Sequence, residues 1–139
     1  MLIRKTKDED IKSIIEIELK YLGETLGDML YSELNNPVAY FYTAELDEKV
    51  VGYVGGWIID DSLEIINLVV DEAYQRIGIG TKLIDTISNV KKIKEIILDV
   101  RVTNEQAINF YKKLGFMKIN ERKNYYKNGD NAFVLRKEV

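Results

Sequence analysis

The chain has 139 residues, 46% of them hydrophobic, and a formal net charge of −3. That fits one globular domain over residues 1–139 and argues against a generic nucleic-acid binder, which needs a basic face. Cysteine and histidine are both absent, which excludes disulfides, zinc fingers, iron–sulfur sites and cysteine–histidine nucleophiles, and no metal site is expected. Acid–base work must fall to Asp, Glu, Tyr, Lys or water. Residues 1–8 lack the apolar core of a signal peptide. The longest apolar run, residues 50–59, is too short to span a bilayer. A soluble, cytoplasmic protein without membrane contact is the expectation.

Residues 2–5 read as a short strand. Thr6-Lys7-Asp8-Glu9 fits a capping box, with Thr6 as N-cap and Glu9 reaching back. Ile11, Ile14, Ile15, Glu18 and Leu19 then line one helical face. Gly23 and Gly27 break the pattern, and a second short helix is predicted over about residues 28–34, ended by Asn35-Asn36-Pro37. Residues 38–46 and 50–59 read as strands joined through Asp47-Glu48-Lys49. Asp60-Asp61-Ser62 turns into a further strand ending at Val70. A helix follows from Gly78 to about Val90, with Ile79, Leu83, Ile84, Ile87 and Val90 at helical spacing.

Residues 95–100 form the next strand. Thr103-Asn104-Glu105-Gln106 reads as a second capping box, opening a helix that carries Ala107, Ile108, Phe110, Tyr111 and Leu114 and stops at Gly115. Residues 116–122 and 132–137 close the chain as two strands. Helices between strands predict a parallel central pair, and the meander and closing hairpin predict antiparallel edges. The fold class is therefore α+β: one domain, a mixed, mostly antiparallel sheet and helices on both faces.

Gln75-Arg76-Ile77-Gly78-Ile79-Gly80 lies between an apolar strand and a helix start, where unpaired backbone N–H groups and the helix dipole make an anion site. Glycines there let a phosphate approach bare backbone. A dinucleotide fingerprint fails because its third glycine would fall at Leu83, and a triphosphate loop fails on the order Gly80-Thr81-Lys82. The remaining pattern, Gln/Arg-x-x-Gly-x-Gly, resembles the acetyl-CoA pyrophosphate loop of the GCN5-related N-acetyltransferases (GNAT). Two further runs carry the resemblance. One is Leu98-Asp99-Val100-Arg101-Val102-Thr103-Asn104 with Ala107, Phe110-Tyr111 and Leu114-Gly115-Phe116. The other is Arg122-Lys123-Asn124-Tyr125-Tyr126 with Asp130-Asn131-Ala132, which is similar to the branch that acetylates protein N-termini, the ribosomal-protein-alanine kind in particular.

The resemblance implies acetyl-CoA as co-substrate and direct transfer to an amine, most simply a protein or peptide N-terminus on a ribosomal protein. It implies that Leu68, Val69 and Val70 pair with the pantetheine arm and supply an oxyanion donor. It also implies that Gln75, Arg76, Ile77, Gly78, Ile79, Gly80 and Thr81 hold the pyrophosphate, that Asn104 touches CoA, and that Tyr125 and Tyr126 grip the peptide. Tyr111 is the implied general acid, its plainer role being a core aromatic. Asp99 stands where the family branch has glutamate, about 1.5 Å shorter in reach. Glu64 on the neighbouring strand is the rival base. The family's aromatic–serine element is replaced by Gly23-Glu24-Thr25-Leu26-Gly27. A small-amine acetyltransferase and a non-catalytic acyl-CoA sensor are the alternatives. Eight acids in residues 8–33 against Lys12 and Lys20 read either as a solvated face or as steering for a cationic acceptor.

Overall fold

The alternation in Glu95–Arg101 becomes a strand in which Ile96, Leu98 and Val100 are buried, while Glu95, Ile97, Asp99 and Arg101 face the other side. The computed structural model describes all 139 residues. In chain order it has β1 (Leu2–Lys5), α1 (Ile11–Leu22), α2 (Met29–Glu33), β2 (Ala39–Leu46), β3 (Lys49–Ile59), β4 (Ser62–Val70), α3 (Ile79–Ser88), β5 (Glu95–Arg101), α4 (Glu105–Lys113), β6 (Met117–Arg122) and β7 (Ala132–Glu138). The strands form one sheet in the order β1-β2-β3-β4-β5-β7-β6. Every neighbouring pair is antiparallel except β4 and β5, which are parallel and connected through α3. No helix is long and apolar enough to cross a membrane.

Two cores sit on opposite faces of the sheet. On one, Leu63, Ile65, Ile96, Leu98 and Val100 pack with Leu83, Ile84 and Ile87 of α3 and with Tyr111 and Phe116. On the other, Ile11, Ile14 and Ile17 of α1 and Leu30 of α2 cover Phe41, Tyr53 and Val69.

The site is set by where β4 and β5 part. Their pairing runs from Ser62↔Glu95 to Ile65↔Leu98 and stops. There the β3–β4 register slips, with Gly56 opposite Ile65 but Gly55 opposite Asn67, leaving Ile66 as an unpaired bulge. A bulge bends its strand and increases local twist. Gly56 permits the close approach, since a Cβ on it would stand 2.7 Å from the carbonyl oxygen of Glu64. Beyond the bulge β4 keeps β3 on one side and a free edge on the other. Asp71 N–H bonds the Val51 carbonyl (2.8 Å), so by the strand's period of two Asn67 and Val69 also turn toward β3. Leu68 and Val70 turn their backbone groups to the free edge.

Local capping differs from the sequence expectation at both boxes. Thr6 does not cap α1, because its hydroxyl bonds that of Thr43 across the sheet at 2.7 Å. Asp10, not Glu9, accepts the backbone N–H, from Lys7 at 2.8 Å. Leu19 points outward, 51% exposed, and Ile17 and Glu18 take the buried stripe with Ile11 and Ile14. The β2–β3 loop is two residues long, with Asp47 and Glu48 both at positive φ, as the twist of a tight hairpin requires.

Asp10 also anchors β1. Arg4 forks onto it at 2.7 and 2.9 Å and reaches Glu45 at 2.9 Å. Burial opposes ionisation of Asp10, but the Arg4 guanidinium and the Lys7 N–H outweigh it and hold the carboxyl below its usual 3.8. A depressed folded value stabilises the fold above the unfolded pKa and loses that contribution as pH falls through the folded one. Asp10→Asn is therefore expected to cost about 2 kcal/mol at pH 7. Its deficit against the wild type should shrink below pH 3.8, as thermal denaturation at several pH values will show.

Candidate active site

After β4 the chain makes a short 3-10 turn, Glu72–Tyr74, and enters α3 through Gln75 to Gly78. Gln75 is committed to holding this loop. Its side chain donates to the Val70 carbonyl at 2.9 Å and accepts from Gln106 at 2.9 Å. Arg76 and Gly78 both take positive φ, 66° and 87°. The next backbone donor with an internal acceptor is Lys82, to Gly78 at 3.0 Å. Six consecutive N–H groups, Arg76 to Thr81, thus have no protein acceptor, as expected of a helix start built to take an anion.

The two glycines have separate reasons. Gly78 needs the left-handed conformation and has open space around it. A Cβ on Gly80 would stand 3.1 Å from the Phe110 ring, so Gly80 lets α3 approach α4 without displacing that ring. At the second capping box Asn104, not Thr103, is the cap, accepting from Ala107 N–H at 3.1 Å. Gln106 reaches Gln75 instead of turning back.

Tyr111 lies on the α3/α4 side of the sheet, 7% exposed, with Phe110 and Phe116 edge-on at 5.2 Å. Burial pushes its hydroxyl pKa up. Its hydroxyl bonds no protein group, although no fully occluded side-chain polar atom lacks a partner.

Asp99 and Glu64 project from the opposite face. Glu64 sits beside Ile97 in the β4–β5 register, two residues before Asp99 on the same face. Arg101, two residues further along β5, bonds other groups. Asp99 is paired with Arg122 of β6 at 3.1 Å, its carboxyl 19% exposed. Tyr125 and Tyr126 stand edge-to-face at 5.2 Å. Burial and the charge of Asp99 raise both tyrosine pKa values, and Glu64 also acts on Tyr125 and Arg122. Both carboxylates and both tyrosines therefore converge on one mouth of the β4–β5 gap.

Three residues of this mouth escaped the sequence reading. Arg122 holds Asp99. Arg101 ties three segments: its guanidinium lies 3.9 Å from the Tyr126 ring, bonds Asn128 at 2.9 Å and Asp130 at 3.1 Å, and meets Glu24 of the α1–α2 loop at 3.6 Å. Glu18 is fully buried and accepts from Tyr53 at 2.7 Å, Thr25 at 2.9 Å and Asn67. Its signal was visible, an acid seven residues after Ile11 on an apolar stripe.

A split parallel pair, a donor-rich helix start on one side and titratable groups on both faces fit a group-transfer enzyme. The chain belongs to the acetyltransferase (GNAT) family, whose model matches residues 9–116. An N-alpha-acetyltransferase of Sulfurisphaera tokodaii is 33% identical over 96% of this chain and 90% of that protein. A Bacillus subtilis protein named for ribosomal protein bS18-alanine N-acetylation is 34% identical over 96% of this chain and 92% of its own length. Among solved structures, Ard1 from Thermoplasma volcanium superposes with a TM-score of 0.87 at 30% identity, covering 99% of this chain and 97% of that one.

Proposed function

We propose that the protein transfers acetyl from acetyl-CoA to the α-amine of a protein N-terminus, a ribosomal-protein alanine being the favoured acceptor. The observation that carries this is the placement of the titratable groups. Asp99 and Glu64 stand on one side of the β4–β5 gap beneath Tyr125 and Tyr126, and Tyr111 on the other. The N-terminal activity and the ribosomal acceptor are supported by the archaeal and Bacillus relatives.

Acetyl-CoA supplies an acetyl group activated as a thioester. The six free amides from Arg76 to Thr81 fit its pyrophosphate. The open edge of β4 at Leu68 and the Val70 N–H, the Val70 carbonyl being held by Gln75, fits an extended arm laid beside β4 as an added strand. An incoming α-amine, with a pKa near 8, is largely protonated at neutral pH. Asp99 takes that proton, directly or through one water, and Arg122 fixes the carboxylate's direction. Tyr111, kept protonated by burial, gives a proton to the departing thiolate. Tyr125 and Tyr126 wall the acceptor side.

Release of free CoA, measured across peptides with different first residues and against polyamines, tests the reading. Alanine-led peptides should turn over well above any polyamine; the reverse order would make this a small-amine enzyme, and no turnover with any acceptor an acyl-CoA sensor. The loop has its own test. Gly78→Val forces about 1–2 kcal/mol of left-handed strain onto the amide cradle and should weaken acetyl-CoA about tenfold in calorimetry. Gly80→Val should instead lower the melting temperature by pushing Phe110 aside. Unchanged acetyl-CoA affinity in the Gly78 variant would remove the loop from the donor site.

A further inference from the structure

We propose that Glu18 is a positioning residue that locks the acceptor-side loop, residues 23–28, to strand β4. The inference rests on the acetyl-transfer reading above, which puts Tyr126 on the acceptor side; Arg101 lies on the Tyr126 ring at 3.9 Å and meets Glu24 at 3.6 Å, so the loop borders that side. A carboxylate in an apolar stripe costs free energy unless its oxygens are fully bonded, and a leucine would continue the run of Ile11, Ile14 and Ile17 without that cost. Burial raises the carboxyl pKa and three donors counter it, none of them a cation. The donors come from three elements: Thr25 from the loop, Tyr53 from β3 and Asn67 from β4.

The placement of these donors gives Glu18 its role. Asn67 directly follows the bulge at Ile66, where β4 leaves β5. Thr25 also accepts the Gly27 N–H at 2.9 Å, so a continuous chain runs from the loop backbone through Thr25 and Glu18 to the strand with the free edge. The loop's other polar tie is Glu24 to Arg101 at 3.6 Å, with Glu24 58% exposed, a contact that water weakens, and Leu26 adds a non-directional apolar contact with the α1-side core. Glu18 therefore sets the spacing between the loop and the free edge at Leu68 and Val70. A shift of about 1 Å between reacting groups is enough to slow transfer severely.

Thr25→Val removes only the loop arm of this lock and keeps the side-chain shape. Amide hydrogen exchange, which requires no acceptor, is measured on the wild type and on this variant. Exchange should rise several-fold at Gly27 and also at Asn67 and Val69, whose amides bond to β3, while α3 stays at its wild-type rate. With the best peptide, the KM for acceptor should rise about tenfold and that for acetyl-CoA change less than about twofold. Glu18→Gln, which keeps the volume and one carbonyl acceptor, should show milder changes in the same segments and serves if Thr25→Val does not fold. Faster exchange confined to residues 23–28, with Asn67 and Val69 unchanged in either variant, would overturn the proposal and leave Glu18 a local anchor. Failure to acetylate peptides would overturn the acceptor assignment while leaving the exchange result to decide the lock.

Discussion

Tyr111→Phe is expected to slow turnover about a hundredfold or more while leaving acetyl-CoA affinity within about twofold, because a positioned general acid typically contributes about 10²–10⁴. The substitution is unusually clean. The hydroxyl bonds no protein group, so its removal strands no partner, and the ring keeps its edge-on contacts with Phe110 and Phe116. Stability should change by less than about 0.5 kcal/mol. Burial raises the hydroxyl pKa, so the wild-type rate should show no loss from deprotonation of this group across the neutral range. Single-turnover rates with saturating acetyl-CoA separate chemistry from binding. A variant with nearly full turnover would reduce Tyr111 to packing.

Asp99→Asn should lower turnover about tenfold to a hundredfold at neutral pH, with the deficit narrowing as pH rises and the acceptor amine arrives already neutral. Arg122 would lose its partner, but it is half exposed, so the fold should hold. Asp99→Glu should restore or raise the rate, since the longer side chain reaches the amine without an intervening water. If Glu64 is the base, Glu64→Gln becomes the more damaging change. Wild-type rates for Asp99→Asn across the whole pH profile would remove Asp99 from the mechanism.

What the sequence made legible follows the range of the physical rule involved. Helices α1, α3 and α4, the strands and the anion loop depend on spacings of two to four residues, and each stands within a few residues of expectation. The capping residues were misplaced because a competing partner lay far away in sequence. Thr6 faces Thr43 across the sheet, and Gln106 turns to Gln75. The candidate acid and bases were visible as residues; their neighbours were not. Asp99 and Arg122 are 23 positions apart, and Glu18 and Asn67 are 49 apart. Only strand order brings such pairs together. Gly80 was legible as a glycine of the loop, but its second constraint was not, since the Phe110 ring it accommodates lies on another helix.

The bulge at Ile66 has a genetic consequence. Strand β4 changes parity there: before it the odd-numbered Leu63 and Ile65 face the α3 core, and after it the even-numbered Leu68 and Val70 lie against that core while Asn67 and Val69 face α1. The reading frame of inside and outside is thus reset by one residue. Substitutions at Ile66 itself meet a half-buried position and should be absorbed. Gain of a single codon between Glu64 and Leu68 inverts one half of the strand, driving Glu64 into the core or turning Val69 out of it, whereas loss of Ile66 removes the bulge and leaves both halves on their faces. Insertions should therefore be purged from these few codons far more stringently than from the exposed turn at Lys91 and Lys92 between α3 and β5, whose length no sheet has to count.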